Sequence, residues 1–407
     1  TFGALGAWSM LSRTFWPALR SLAGKWFRRE PAREVPLSGD VDGQSTLYHA
    51  GIPVEDRVAI AENSMRLMGL GVDGAPIARL VLLCGHGSTT TNNAYASALD
   101  CGACGGHRGA PNARVAAAIF NDTEVRRALA ARGLPIPEDT LFVAAEHDTA
   151  TYALHCYDEA RISASHRGEL ARLREQIETA RRRLNHERTQ RFDTPASNEG
   201  EAMAEVRRRS LDWSEARPEW GLAGNAAFVI GGRELTRDLD LAGRSFLHSY
   251  RWETDPTGAA LEVIMTAPMV VTEWINTQYY FSSIDNETFG SGSKVIHNVV
   301  GKIGVMQGNQ SDLKIGLPFQ SVSNGTDLVH EPMRLCVVIE APKERIAAIV
   351  AKHESVRKLV GNGWVQLVAL DPTDGNAYRY VSSGTWRVEP AFRADERASM
   401  TRSTTVH

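Results

Sequence analysis

The chain has little cysteine, five residues in 407. So sparse and odd a count excludes a secreted disulfide scaffold and fits a reducing compartment, where a cysteine is a thiol or a metal ligand. It has no apolar run approaching the ~18 to 20 residues of a membrane-spanning helix. It lacks an excess of one charge: 45 Lys and Arg stand against 48 Asp and Glu, a formal charge of -3. That balance gives no support to nucleic-acid binding. Internal repeats and low-complexity tracts are missing too. Two motifs fail on inspection. Gly301-Lys302 is followed by Ile303 and has no glycine five residues before it, which excludes a phosphate-binding Walker loop. Gly85-His86-Gly87-Ser88 is followed by Thr at position 90, where a nucleophile elbow needs glycine.

What remains is a composition 43% apolar and 23% charged, ordinary for a globular protein, and long enough for two or three domains. Residues 1–60 form a basic, aromatic and loop-rich segment. Trp8, Trp16, Trp26, Phe2, Phe15 and Phe27 lie among Arg13, Arg20, Lys25, Arg28 and Arg29, with no acid before Glu30. This suits an interfacial helix on a membrane or membrane partner, or a core helix pair broken at Pro17.

Residues 61–195 read as an α/β region. A helix near Val58–Gly69 leads to the apolar run Arg79–Cys84, a helix at Ala113–Phe120 follows, and Thr140–Ala145 is a second buried strand. His166–Arg191 reads as one long helix with eight Arg and four Glu. Its Leu170, Leu173, Ile177, Ala180 and Leu184 fall on a narrow seam, and Glu–Arg pairs cover a solvated face. Residues 193–200 read as a linker. Residues 196–407 form a second α/β region. It has strands at Ala226–Ile230, Leu335–Ile339, Val365–Leu370 and Tyr378–Val381, a helix over Pro268–Ile284 and another over Pro342–Leu359.

The chemistry concentrates between residues 84 and 107, where Cys84, Cys101, Cys104, His86 and His107 fall together. Thiolate and imidazole are the donors zinc prefers, in tetrahedral sets of four. Cys101-x-x-Cys104 matches half a structural zinc site, and two glycines after Cys104 argue against a redox motif. His86 with Cys101 suits one ligand from a strand end and one from the following loop. Cys84 reads as a small buried core residue, and His107 as an exposed loop residue. His147, between Glu146 and Asp148 at a strand end, reads either as a base or ligand or as a loop histidine bonded to a carboxylate. A structural role suits His297.

Several long strings carry a resemblance. They are Cys84-Gly-His-Gly-Ser88, Asn92-Asn93, Ser97-Ala-Leu-Asp-Cys-Gly-Ala-Cys-Gly-Gly106, Asn112-Ala-Arg114, Asp212–Asn225, Ile264–Met269, Trp274–Phe281, His297–Gly301 and Gly316–Val322. From about residue 60 onward the chain resembles the DabA family, peripheral subunits of an inorganic-carbon accumulation complex. The resemblance implies a parallel or mixed sheet flanked by helices, like that of β-type carbonic anhydrases, with further α/β elements in the second half. It implies Zn2+ held by His86 and Cys101 together with a Cys and an Asp from an upstream Cys-x-Asp-x-Arg motif. Asn92, Asn93 and Asp100 are candidates for the hydrogen bonds that orient the ligands.

The implied activity is hydration of CO2 to bicarbonate, driven one way by an ion gradient. The implied partner is a membrane-embedded, antiporter-like subunit of the DabB type. The implied place is peripheral, on the cytoplasmic side of the cell inner membrane. Two alternatives stand beside this: a non-catalytic assembly module docking through residues 1–29 or the Arg-rich helix, and an unrelated zinc hydrolase. The upstream motif is missing, since no cysteine precedes Cys84, and in Cys156-Tyr-Asp158 the arginine comes one place late, at Arg161. The expectation is therefore a chain incomplete at its N-terminus, with half a zinc site and inactive by itself.

Overall fold

A computed structural model describes residues 51–389, apart from 90–99, 102–103, 105, 160–161, 213–219, 301–303, 309–310 and 383. The first elements are α1 (Val54–Met68), β1 (Leu80–Gly87), α2 (Ala110–Asn121), α3 (Thr123–Ala131), β2 (Leu141–Asp148), β3 (Leu154–Cys156), α4 (Arg167–Thr189) and α5 (Glu199–Leu211). Next come β4 (Ala227–Gly231), β5 (Ser245–Ser249), α6 (Ala259–Thr266), α7 (Pro268–Ile284), α8 (Asn286–Phe289) and the hairpin β6 (His297–Val300) with β7 (Gly304–Gln307). The last are β8 (Leu335–Glu340), α9 (Lys343–Lys352), α10 (Glu354–Gly361), β9 (Val365–Asp371), β10 (Asn376–Ser382) and β11 (Thr385–Glu389). The architecture is mixed α/β, with parallel and antiparallel pairs in both larger sheets.

The chain divides into two compact units. One takes residues up to Arg66, then Leu70–Gly224 and Gln278–Pro332; the other takes Leu67–Gly69, Asn225–Thr277 and the residues from Met333 onward.

In the first unit the sheet order is β1-β2-β3, with β1 parallel to β2 and β3 antiparallel to it. The strands form because their side chains are apolar on both faces. Leu80, Leu82, Leu141 and Val143 pack with Ile162 and Leu170 on one side. On the other, Val81, Leu83, Phe142 and Ala144 meet Met65, Ala117, Phe120 and Leu129 of α1, α2 and α3. The seam expected along α4 holds only at its start. Leu170 is buried, but Leu184 is 42% exposed, whereas Asn185, Arg188 and Thr189 are buried. Asn185 and Arg181 both donate to Thr151 O, at 3.1 and 3.0 Å, so hydrogen bonds rather than leucines fix the second half of that helix. Arg181 also pairs with Glu178 one turn earlier.

In the second unit the order is β11-β10-β9-β8-β4-β5. Strands β5, β4, β8 and β9 run parallel, and β10 and β11 complete an antiparallel meander. Ile230, Val337, Ile339 and Leu367 bury against Leu261, Ile264 and Met265 of α6 and Ile346, Val350 and Val356 of α9 and α10. The single helix expected over residues 342–359 is two. It breaks at His353, whose backbone is extended (φ -108°, ψ 112°) and whose ring Nε2 lies 2.8 Å from Glu262 Oε1.

Candidate functional site

The two parallel strands of the first unit end together. Their register sets His86 opposite His147, Gly85 opposite Glu146 and Gly87 opposite Asp148. Because side chains alternate across a sheet, His86 and His147 share one face, with Cys84, while Glu146 and Asp148 point to the other. Carboxyl ends of parallel strands are where open α/β sheets collect their functional groups.

The loop that leaves β1 comes back to it. Ser88 N donates to Asp100 Oδ1 at 2.8 Å, and Gly109 N donates to His86 O at 2.7 Å. Between these anchors lies a tight turn: Cys101 N donates to His107 O and Cys104 N to Cys101 O, both at 3.1 Å. Asn112 Nδ2 reaches Cys104 Sγ at 3.2 Å. His86 and the Cys101 turn are thus tied to one backbone frame. The frame needs glycine. A β-carbon on Gly85 would stand 2.5 Å from the carbonyl carbon of Gly109, and one on Gly109 would stand 2.8 Å from His86 N.

Charges flank this frame. Glu146 is fully buried and paired with Arg108, whose Nε lies 3.2 Å from Oε2 while Nη2 meets Oε1. Asp148, also buried, accepts from Thr89 N (3.1 Å), Thr89 Oγ1 (2.6 Å), Ala150 N (3.1 Å) and Thr151 Oγ1, which spends its lone pairs on closing the loops after β1 and β2. Burial pushes the His86 pKa below the ordinary imidazole value, against the smaller opposing pull of Asp100 and Glu146. Burial likewise lowers His147. Asp100 is pushed up by burial, partly offset by the Ser88 amide and Arg108.

The sequence-derived residues fall as follows. His86, Asp100 and Cys101 are brought to the same loop frame, with Asp100 electrostatically coupled to His86. Asn92 and Asn93 lie outside the described residues, as do the basic aromatic residues 1–29. Among the described residues no group of three His, Cys, Asp or Glu could hold a metal ion. Cys84 is exposed rather than buried, because β1 sits at the edge of its sheet. His147 belongs to β2 itself and stacks on Tyr152, with ring centroids 5.6 Å apart. His107 is exposed, and His297 Nδ1 donates to the Lys294 carbonyl.

Two ion pairs were not foreseen. Arg108 with Glu146 is one; the other is Arg114, whose Nε and Nη2 hold the two oxygens of Asp158 at 2.9 and 2.8 Å. The signal available was an acid within an apolar strand, Glu146, which must find a cation when buried. A cleft of about 370 Å³ near Asp158 is lined by Arg114, Asn121, Arg126, Tyr157 and His166, among others, but by neither His86 nor Cys101.

Comparison with known proteins adds a family. Residues 1–365 match the model of a family described as "Probable inorganic carbon transporter subunit DabA". Curated relatives bearing that description include one from Roseiflexus sp. (strain RS-1), 51% identical over 336 residues, covering 83% of this chain and 40% of the relative. One from Haloarcula marismortui is 51% identical over 338 residues, covering 83% and 41%. One from Legionella pneumophila (strain Lens) is 51% identical over 339 residues, covering 83% and 44%. The chain thus spans about two fifths of the length of the curated relatives it matches.

Proposed function

Because the chain belongs to the DabA family, we propose that it works in inorganic carbon uptake as part of a zinc-binding subunit that hydrates CO2 to bicarbonate. In this reading the subunit acts beside a membrane-embedded, antiporter-like partner of the DabB type. The observation that carries it is the shared anchoring of His86 and the Cys101 turn through Ser88–Asp100 and Gly109–His86.

The donor chemistry fits. His86 is held toward its neutral form by burial, which leaves a ring nitrogen able to ligate, and Cys101 offers a sulfur donor. Together they account for two of the four positions zinc takes, and the described residues supply no third donor to the same group. When bound, zinc supplies Lewis acidity that makes hydroxide available from water near neutral pH. The chain's own groups do the positioning. Asp100 Oδ1 fixes the amide two residues past His86. Arg108 compensates Glu146, which would otherwise stand as a second buried anion near Asp100. Gly85 and Gly109 let the loop backbone lie directly on the strand.

Among the described residues no helix is long and apolar enough to cross a membrane. We place the subunit peripherally, on the cytoplasmic side of the inner membrane, carried by its partner. A second reading, an assembly module without catalysis of its own, is favoured by the lack of a three-donor group among the described residues.

The test is zinc content together with stopped-flow CO2 hydration, measured on the chain in complex with the membrane subunit. Zinc that is present, and lost in the His86→Ala/Cys101→Ala variant with circular dichroism unchanged, supports the catalytic reading. Zinc indifferent to both substitutions removes it. A complex that assembles without zinc selects the assembly module.

A further inference from the structure

The cleft of about 370 Å³ that neither His86 nor Cys101 lines has a structural cause. Strand β3 pairs only with Ala145, Glu146 and His147, so β2 has no strand neighbour on that side from Leu141 to Ala144. Asn121 of α2 takes the place of one. Its Nδ2 donates to Phe142 O at 2.7 Å, and its Oδ1 accepts from Phe142 N at 3.1 Å. Tyr157 N donates to Ala144 O at 2.9 Å. With the strand's polar groups closed in this way, the space beside them is left to side chains.

One wall is a single face of α2. Arg114, Ala117, Ala118 and Asn121 lie at i, i+3, i+4 and i+7, along about 10 Å of helix. The two alanines leave the hollow. Leu141, Val143 and Ile162 add apolar surface. The Tyr157 hydroxyl has no hydrogen-bond partner among the described residues.

Two cations line the cleft, and they differ. Arg114 is answered by Asp158 through two hydrogen bonds. Arg126 meets only neutral oxygens. Its Nε donates to Phe120 O at 2.8 Å, its Nη2 to Thr140 O at 2.7 Å and Asn121 Oδ1 at 3.0 Å, and its Nη1 to Pro137 O at 3.4 Å. Glu138, the other acid of the lining, is exposed and pairs with neither arginine among the described residues. Burial pushes the Arg126 pKa below the ordinary guanidinium value, and no anion opposes it. A half-buried cation without an anion is costly, and one Nη1 hydrogen stays uncommitted. The four bonds also hold the fork in place, so little ordering is left for a ligand to impose.

We propose that this cleft binds a small organic monocarboxylate, with its carboxylate on Arg126 Nη1 and its apolar body along Ala117 and Ala118. The volume lies at the lower end of small-molecule pockets. At ~30 Å³ per water it suits a ligand of about eight to twelve non-hydrogen atoms. A bare inorganic anion would leave the apolar wall unused, and a dianion would bring its second charge toward Asp158. The site is separate from His86 and Cys101, and the inference does not depend on the zinc reading.

The test is isothermal titration of the 407-residue chain, in buffer with EDTA, using benzoate and hexanoate as probes. Benzamide, with the shape of benzoate and no charge, is the control. Benzoate should bind once per chain and at least about tenfold tighter than benzamide. Ala118→Leu fills the hollow and touches no charge; it should abolish binding while the ligand-free chain melts as before. Arg126→Lys keeps the charge and loses the fork, so it should weaken benzoate by about tenfold and benzamide hardly at all. If Arg126→Lys does not fold, Ala118→Leu decides alone. Saturable binding of neither probe at about 10 mM overturns the proposal. So does benzoate binding no tighter than benzamide, or benzoate binding that survives Ala118→Leu. Displacement of benzoate by equimolar chloride overturns it too, because the guanidinium would then accept any anion.

Discussion

Gly85 and Gly109 meet backbone to backbone, with room for no β-carbon: one on Gly85 would come within 2.5 Å of the Gly109 carbonyl carbon. That contact is what lets Gly109 N reach His86 O at 2.7 Å and sets the Cys101 turn against the strand end. Gly85→Ala and Gly109→Ala should each cost about 2–3 kcal/mol, as overpacking against rigid backbone does. Gly133→Ala, where a β-carbon would meet nothing within 4 Å but the backbone is left-handed (φ 80°), should cost less, about 1 kcal/mol. Urea denaturation checks the ranking. If Gly85→Ala proved as mild as Gly133→Ala, the interlock would not hold the site.

Arg108 is the cation that Glu146 depends on, and Glu146 is fully buried. Arg108→Ala strands that charge and should destabilise by about 2–3 kcal/mol, less than a wholly buried pair because the arginine is half exposed. Adding Glu146→Gln should recover much of the loss. A double-mutant cycle in urea measures this, and strict additivity would show that the pair is not coupled.

The start of α3 is another buried charge relationship. Asp122 accepts from Glu124 N at 2.8 Å and Val125 N at 3.1 Å, and the same carboxylate pairs with Arg57 of α1, both side chains being nearly inaccessible. Asp122→Ala removes an N-cap and an interhelical ion pair in one step, so about 3 kcal/mol or more should be lost. Asp122→Asn keeps the cap and should lose less. Equal losses in the two variants would mean that the ion pair alone matters.

How much of this the sequence shows depends on whether the signal is local. The apolar runs of β1 and β2 and the Pro268 start of α7 are local, and they stand within a few residues of where the pattern places them. The polar residues 193–200 read as a linker, yet α5 begins within them, at Glu199. Its signal was present nonetheless: Asn198 accepts from Glu201 N at 3.0 Å while Glu201 Oε2 accepts from Ser197 N at 2.8 Å, a near-variant of the Ser/Thr–Glu capping box, with Asn as the cap. Other features are long-range. That His86 lies opposite His147, and that Cys84 is exposed, both follow from strand order and register, which no spacing within one segment encodes. At the break, His353 meets Glu262, 91 residues away.

Glu273 of α7 gives a prediction about pH. The residue is 2% exposed; Oε1 accepts from Thr277 Oγ1 at 2.6 Å, and Oε2 has no partner among the described residues. Burial raises its pKa to about 7, outweighing the Thr277 hydrogen bond and the more distant Arg334. In the unfolded chain the group titrates near 4.5. Between these values the folded state holds a proton that the unfolded state has released, so raising the pH weakens the fold. The contribution is fully present below about pH 4.5, declines through the range up to about pH 7 and is gone above it. After discounting for solvent screening, the difference is about 1–2 kcal/mol. Glu273→Gln should abolish that slope, so the wild type minus variant difference in unfolding free energy should fall from pH 5 to about pH 7 and level off above it. A difference that stayed flat, or that rose with pH, would show the carboxyl to be ionised in the folded protein at neutral pH.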